Sequence, residues 1–282
     1  MVLRPMVLAT SALAALALAF GALAAPGDWP GANMDPGGQR HSSLTRITAD
    51  NVAGLKEAWV YHMKPEDGSG GTRLVTAETV PLVIDGTMYI STPYGRVVAL
   101  DAATGVEKWN FTIPDNGRPS VRGVAYWPGD KNHGAAILFA ERQGRLYSLD
   151  AATGRPNAAF GEGGFVETKT PDVMPTGMDQ FYIIAATPFV YRNLVITGGG
   201  GPDAAANLGA TGDVRAWDVR TGKLVWTFHS VPRPGEPGFG TWGGDSWVNR
   251  SGVNVWGYFT ADDKRGILYM PFGAPNNDRS GV

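Results

Sequence analysis

Short apolar runs alternate with turn-forming residues along most of the chain. Pro81-Leu-Val-Ile-Asp85-Gly86-Thr-Met-Tyr-Ile90 predicts a strand, an Asp-Gly hairpin turn and a second strand. Pro188-Phe-Val-Tyr-Arg-Asn193-Leu-Val-Ile196 repeats this pattern. Residues 136–140 (AILFA) and 267–270 (ILYM) look like copies of its second half. Each hairpin is followed by a further apolar strand that runs into an aspartate. Val97, Ala99 and Leu100 precede Asp101, and Glu107-Lys-Trp109-Asn-Phe111 then alternates as the return strand. One hairpin and one return pair make a four-stranded antiparallel sheet.

The turn between the last two strands occurs three times. The first copy is Ala99-Leu-Asp101-Ala-Ala-Thr104-Gly105-Val-Glu-Lys-Trp109. The second runs from Ser148 through Asp150, Thr153 and Gly154 to Ala158, with the tryptophan lost and Phe160 nearby. The third is Ala216-Trp-Asp218-Val-Arg-Thr221-Gly222-Lys-Leu-Val-Trp226. In Asp-x-x-Thr-Gly the carboxylate can accept backbone N–H bonds and the glycine can take a positive φ, so the unit predicts a tight turn. The tryptophan is placed to pack on a neighbouring repeat. Four-stranded sheets recurring every 50 to 70 residues or so predict an all-β fold, a β-propeller of antiparallel blades. The chain has room for an incomplete ring of about four blades. The third blade carries an insertion over residues 198–212, rich in glycine, and insertions on a regular scaffold tend to carry function.

Residues 1–25 read as a separate element. Arg4 precedes the apolar run from Met6 to Phe20, and Ala22 and Ala24 supply small residues for cleavage near Ala25. That predicts an exported, periplasmic protein, with residues 26–282 forming the propeller part and no membrane span in the mature chain. The strand expected from Leu55 to His62 precedes the first full blade without a partner, and the chain stops in what reads as a loop. Both features lead us to expect a ring that continues past Val282, so that these residues are the N-terminal part of a longer propeller.

Composition narrows the chemistry. In 282 residues, 24 Lys and Arg against 26 Asp and Glu leave a net charge of −2, without the basic excess of a nucleic-acid binder. The 39 glycines and 20 prolines suit many short strands and exclude a helix bundle. Cysteine is absent, which excludes disulfides, Cys-ligated zinc, iron–sulfur clusters and thiol nucleophiles from these residues. His41, His62, His133 and His229 lack metal-ligand spacing and read as structural or surface groups. Asp262-Asp263, before Lys264-Arg-Gly266, reads as a hairpin turn, and Pro232-Arg-Pro-Gly-Glu-Pro237 as a rigid loop expected at the rim of a central funnel.

With these motifs together, everything after the signal resembles the pyrroloquinoline quinone (PQQ)-dependent dehydrogenases, the eight-bladed quinoproteins. The repeated turn resembles their tryptophan-docking motif. Asn51-Val-x-x-Leu55-Lys-x-Ala-Trp59 resembles their N-terminal strand. Val214-Arg-Ala-Trp-Asp218, Phe228-His, Pro232 to Glu236 and Asn254-Val-Trp256 are most similar to the sugar and polyol branch. The resemblance implies that PQQ lies on Trp256 as a floor, that Arg122 pairs with its carboxylates and that Glu78 hydrogen-bonds its polar edge. It also implies that Gly200 and Gly201 pass close over the ring and that Asp203 ligates Ca²⁺. The implied activity is periplasmic oxidation of a sugar, polyol or other alcohol, with hydride passing to PQQ and electrons onward to a cytochrome or quinone acceptor.

The departures from the family pattern are specific. Ala274 stands where the methanol-oxidising branch has a calcium-ligating asparagine, Ala185 where a PQQ-binding threonine is often found, and Asn116-Gly117 where the alcohol branch has vicinal cysteines. The catalytic aspartate base is expected beyond Val282, so no residue of this chain is assigned that role. The alternatives are a non-catalytic propeller scaffold of the outer-membrane assembly type, or an inactive fragment.

Overall fold

The structure, a computed structural model, describes residues 25, 27–66, 75–174, 182–201 and 208–275. The expected signal lies outside the described residues except for Ala25, as do Asp203 and the 202–207 part of the insertion. Among the described residues there are three four-stranded antiparallel sheets, each a simple meander, and one two-stranded sheet, and they do not close into a ring. The first sheet comprises β1 (Leu82–Ile84), β2 (Thr87–Thr92), β3 (Arg96–Asp101) and β4 (Glu107–Thr112). The second comprises β5 (Ala125–Trp127), β6 (Ala136–Ala140), β7 (Arg145–Asp150) and β8 (Phe165–Glu167). The third comprises β9 (Phe189–Tyr191), β10 (Leu194–Gly198), β11 (Val214–Asp218) and β12 (Leu224–Phe228). A hairpin of β13 (Thr260–Asp262) and β14 (Ile267–Tyr269) begins the fourth.

The strand patterns follow from where each strand sits. Every residue of β6 is buried, because both of its faces meet neighbouring sheets. β4 lies at an outer edge and alternates between half-buried and exposed. In β3 successive residues serve different cores. Val97 and Ala99 pack with Ile137, Phe139 and Tyr147 of the second sheet. Val98 and Leu100 face the other way, toward Trp59, Tyr61 and Met63. The Asp85-Gly86 turn takes positive φ at both residues, +47° and +68°, as the tight hairpin of a right-twisted pair requires.

The repeated turn has the predicted chemistry in all three copies. Asp101 Oδ1 accepts the Thr104 amide at 2.9 Å and its hydroxyl at 2.8 Å. Asp150 and Asp218 hold Thr153 and Thr221 in the same way. Gly105, Gly154 and Gly222 have φ of +73°, +70° and +70°. Trp109 Nε1 donates to Ala151 O of the next sheet at 3.0 Å, and a Cβ on Gly154 would lie 2.5 Å from the indole. Trp59 does the same for the first turn, donating to Ala102 O at 3.3 Å beneath Gly105. At the third turn, whose partner would be the tryptophan that the second copy lacks, fully buried Phe160 and partly buried Val166 lie beneath Gly222 instead.

One expected strand differs. Residues 55–62 form no ladder among the described residues; only a short 3-10 turn, Val52–Gly54, is regular there, and it leads into an extended Leu55. The segment packs on the first sheet through side chains, with Tyr61 donating to Glu107 at 2.7 Å and Arg96 to Met63 O at 3.0 Å. Apolar residues along a segment favour an extended chain, but a strand also needs a partner's backbone groups, and no described residue pairs with it.

Candidate functional site

The four sheets each send a short segment toward a common place just before the inner strand begins. In the first, Glu78 N donates to Val121 O at 3.1 Å and Val80 N to Arg122 O at 3.3 Å, so residues 78–80 run parallel to residues 121–123. This pairing brings Glu78 and Arg122 side by side, and their side chains form an ion pair of 3.2 Å. In the third, the Ala185 carbonyl accepts Ser120 Oγ at 2.6 Å and Arg122 Nη1 at 3.5 Å. From the fourth, the Trp256 ring lies with the Arg122 guanidinium 5.6 Å from its centroid, and the Tyr258 hydroxyl donates to Arg122 O at 3.4 Å. Arg122 is thus the meeting point, with its backbone held from the first and fourth sheets and its side chain from the first and third.

The electrostatics suit a planar anion. Trp256 is 52% exposed, an unusual state for a large ring on an inner segment, and offers an open aromatic face. Arg122 is the cation beside that face, and Glu78, nearly half exposed, holds its fork. Burial pushes the Tyr258 phenol up, opposed by the nearby charges of Arg122 and Arg40. Its hydroxyl therefore stays protonated and remains a donor.

Gly200 joins the site through its neighbours. It forms a two-bond bridge with Ile183, at 2.9 and 3.1 Å, and a Cβ there would lie 2.9 Å from Asn254 Cβ. Gly201 is buried beside it. The structure brings Glu78, Arg122 and Trp256 together directly, and ties Gly200 to the same place through Ile183 and Asn254. Asp203 lies outside the described residues, as do Asn276 and Asp278. The Ala274 carbonyl is already taken by the Val253 amide at 3.1 Å. Among the described residues no group of three or more His, Asp or Glu side chains is placed to hold a metal ion.

Two contributors were not singled out from the sequence. Ser120 is fully buried and anchors the Arg122 segment to Ala185. Tyr258 reaches Arg122 from the fourth sheet. Each stands two residues from a residue that was recognised, on the same side of an extended chain, and that period-2 spacing was the available signal. Away from this site, His229 pairs with Glu236 at 2.7 Å and Glu236 also accepts the Arg233 amide, which fixes the 232–237 loop. His133 is held by Asp130 at 2.8 Å.

Residues 29–282 match the sequence model of a family described as PQQ: glucose/ethanol/alcohol dehydrogenase, beta-propeller domain. The chain is 32% identical over 271 residues to the dehydrogenase subunit of the alcohol dehydrogenase (quinone) of Gluconobacter oxydans, covering 88% of this chain and 32% of that protein. It is 28% identical over 267 residues to the quinoprotein glucose dehydrogenase of Escherichia coli, covering 89% of this chain and 33% of that protein. The crystal structure of quinohemoprotein alcohol dehydrogenase from Comamonas testosteroni superposes with a TM-score of 0.69 at 30% identity, covering 88% of this chain and 36% of that one. The chain thus spans about a third of the length of the relatives it matches.

Proposed function

Because this chain belongs to the PQQ-dependent glucose/ethanol/alcohol dehydrogenase β-propeller family, we propose that it supplies part of the PQQ site of a periplasmic quinoprotein dehydrogenase that oxidises a sugar, polyol or other alcohol. The observation that carries the reading is the convergence of Arg122, Glu78 and Trp256 from three different sheets. A blade-docking role for Trp256 would bury its ring against a turn glycine, as with Trp109; instead half of it is open.

The donor set fits the cofactor. The exposed indole face of Trp256 would receive a flat tricycle, and stacking there excludes water from one side of the site. The Arg122 fork would pair with the carboxylates of the trianion. Glu78 keeps that fork oriented and would offer an acceptor at the polar edge. Ser120, Ala185 and Tyr258 hold the Arg122 segment, so the guanidinium is presented without a large ordering cost. Bound PQQ would supply an ortho-quinone able to take two electrons from the substrate carbon.

Asp203 is proposed as a Ca²⁺ ligand on the family resemblance alone, and no step is derived through the metal. The missing vicinal cysteines favour the sugar and polyol branch. Export through the residue 1–25 signal and electron transfer to a cytochrome or quinone complete the proposal.

The test is titration of the apo form of the full-length protein with PQQ in the presence of Ca²⁺, followed by dye-linked oxidation of alcohols, polyols and aldoses. Saturable binding at one PQQ per protein is expected. Charge-assisted hydrogen bonds are worth roughly 1.5–3 kcal/mol, so Arg122→Ala should weaken binding by about ten- to a hundredfold. Absence of both binding and turnover in the wild type would overturn the reading.

A further inference from the structure

Among the described residues Arg215 is the largest of the fully buried side chains, 1% exposed, and is the second residue of β11. Its β11 neighbours Val214 and Ala216 pack toward the fourth sheet, so Arg215 and Trp217 point the opposite way. Its guanidinium carbon lies 5.0 Å from the Trp217 ring centroid and 5.8 Å from that of Tyr182. Nη1 donates to Thr170 Oγ1 at 2.9 Å, and Nη2 donates to Tyr182 Oη at 2.8 Å and to Thr168 O. The nearest carboxylate, Asp172, is 3.9 Å away and half exposed, and Nε has no partner. A cation buried so deeply with so little countercharge is costly, and an apolar side chain would fill the same space without that cost. The geometry it enforces is therefore the more telling feature.

That geometry leads to the candidate site. Tyr182 is itself buried, with its ring pressed against Gly199, where a Cβ would overlap the phenol. The next residue, Ile183, carries both backbone bonds to Gly200. Gly200 rests on Asn254, two residues from Trp256. Arg215 thus fixes the Tyr182 ring, the ring sets how far Gly199 can descend, and Ile183 sets the height of Gly200.

We propose that Arg215 is a positioning residue for the cofactor site, holding Gly199 and Gly200 at their working height through Tyr182. The effect on PQQ rests on the functional reading above; the effect on the glycine segment does not. Arg215 touches neither PQQ nor substrate in this account.

The experiment uses the full-length protein in wild-type form and as Arg215→Lys, Arg215→Met and Tyr182→Phe. Hydrogen exchange of the peptide spanning residues 182–201 is measured in the apo form, with the 87–101 peptide as an internal control, beside PQQ affinity and thermal midpoint. Arg215→Met should speed exchange in the 182–201 peptide by at least about tenfold while the control is unchanged. Networks of this kind modulate binding by roughly two- to thirtyfold, the weakening expected for PQQ. Arg215→Lys keeps the charge but loses the fork and should share the exchange effect at a near-native midpoint. Tyr182→Phe keeps the ring against Gly199 and should show a smaller effect. If Arg215→Met does not fold, the lysine variant decides. Unchanged exchange at 182–201 in the lysine variant, or acceleration that is equal in the control peptide, would overturn the positioning role. Faster local exchange in a protein that binds no PQQ would leave the positioning role standing and sink the PQQ reading instead.

Discussion

Two glycine-to-alanine substitutions separate the docking of tryptophan from the strain of a left-handed turn. Gly86 and Gly154 have nearly the same φ, +68° and +70°. A Cβ on Gly86 would meet nothing within 4 Å, whereas one on Gly154 would lie 2.5 Å from Trp109. Gly86→Ala therefore carries the conformational cost alone, roughly 1–2 kcal/mol. Gly154→Ala adds overpacking against a ring fixed by its bond to Ala151 O, a further cost of roughly 1–3 kcal/mol. For a chain of this size each kcal/mol lowers the thermal midpoint by roughly 2–4 °C, so the two variants should differ by about 2–12 °C. Differential scanning calorimetry at one scan rate measures both. Removing the ring supplies the control. In a Trp109→Ala background the extra cost of Gly154→Ala should vanish and leave only the conformational part. Equal midpoints for the two single variants, or an unchanged cost in the Trp109→Ala background, would refute the docking account.

Phe160, fully buried beneath the third turn, takes the place of a docking tryptophan; Phe160→Ala should destabilise by roughly 3–5 kcal/mol, measured by urea unfolding. A loss below about 1 kcal/mol would show that Val166 and Gly161 carry that joint without it. Glu141 is 2% exposed, its Oε2 accepts no hydrogen bond, and burial pushes its carboxyl up against the partial relief of the Arg145 charge, 4.0 Å from that oxygen. A carboxyl raised in the folded state favours folding when protonated and loses that contribution as pH rises. Glu141→Gln should therefore gain midpoint relative to wild type as pH rises above the ordinary value of 4.5, with no gain in acid. A constant difference across the pH range would contradict this.

Much of the scaffold is legible in the chain because its determinants are local. The Asp-x-x-Thr-Gly unit closes on itself: the carboxylate, the threonine and the positive-φ glycine lie within five residues, and all three copies adopt one geometry. The Asp85-Gly86 hairpin and the fully apolar 136–140 strand are equally self-contained. Arg122, Glu78 and Trp256 could be named by family resemblance. No local physical rule requires them to meet, since Glu78 and Arg122 are 44 positions apart, and Arg122 and Trp256 lie on sheets that are not consecutive.

Only packing decided the remainder. The Leu55–His62 segment has strand character, yet an extended chain becomes a strand only where another backbone supplies donors and acceptors. Arg215 looks like an ordinary polar residue of an alternating strand; that it is buried depends on the second sheet and Tyr182 covering its face. Turns and strand periods are short-range and so were determined by the sequence by itself. The ion pair over an open indole, and the buried arginine behind the glycine segment, depend on contacts between sheets, and those exist only once the blades have stacked.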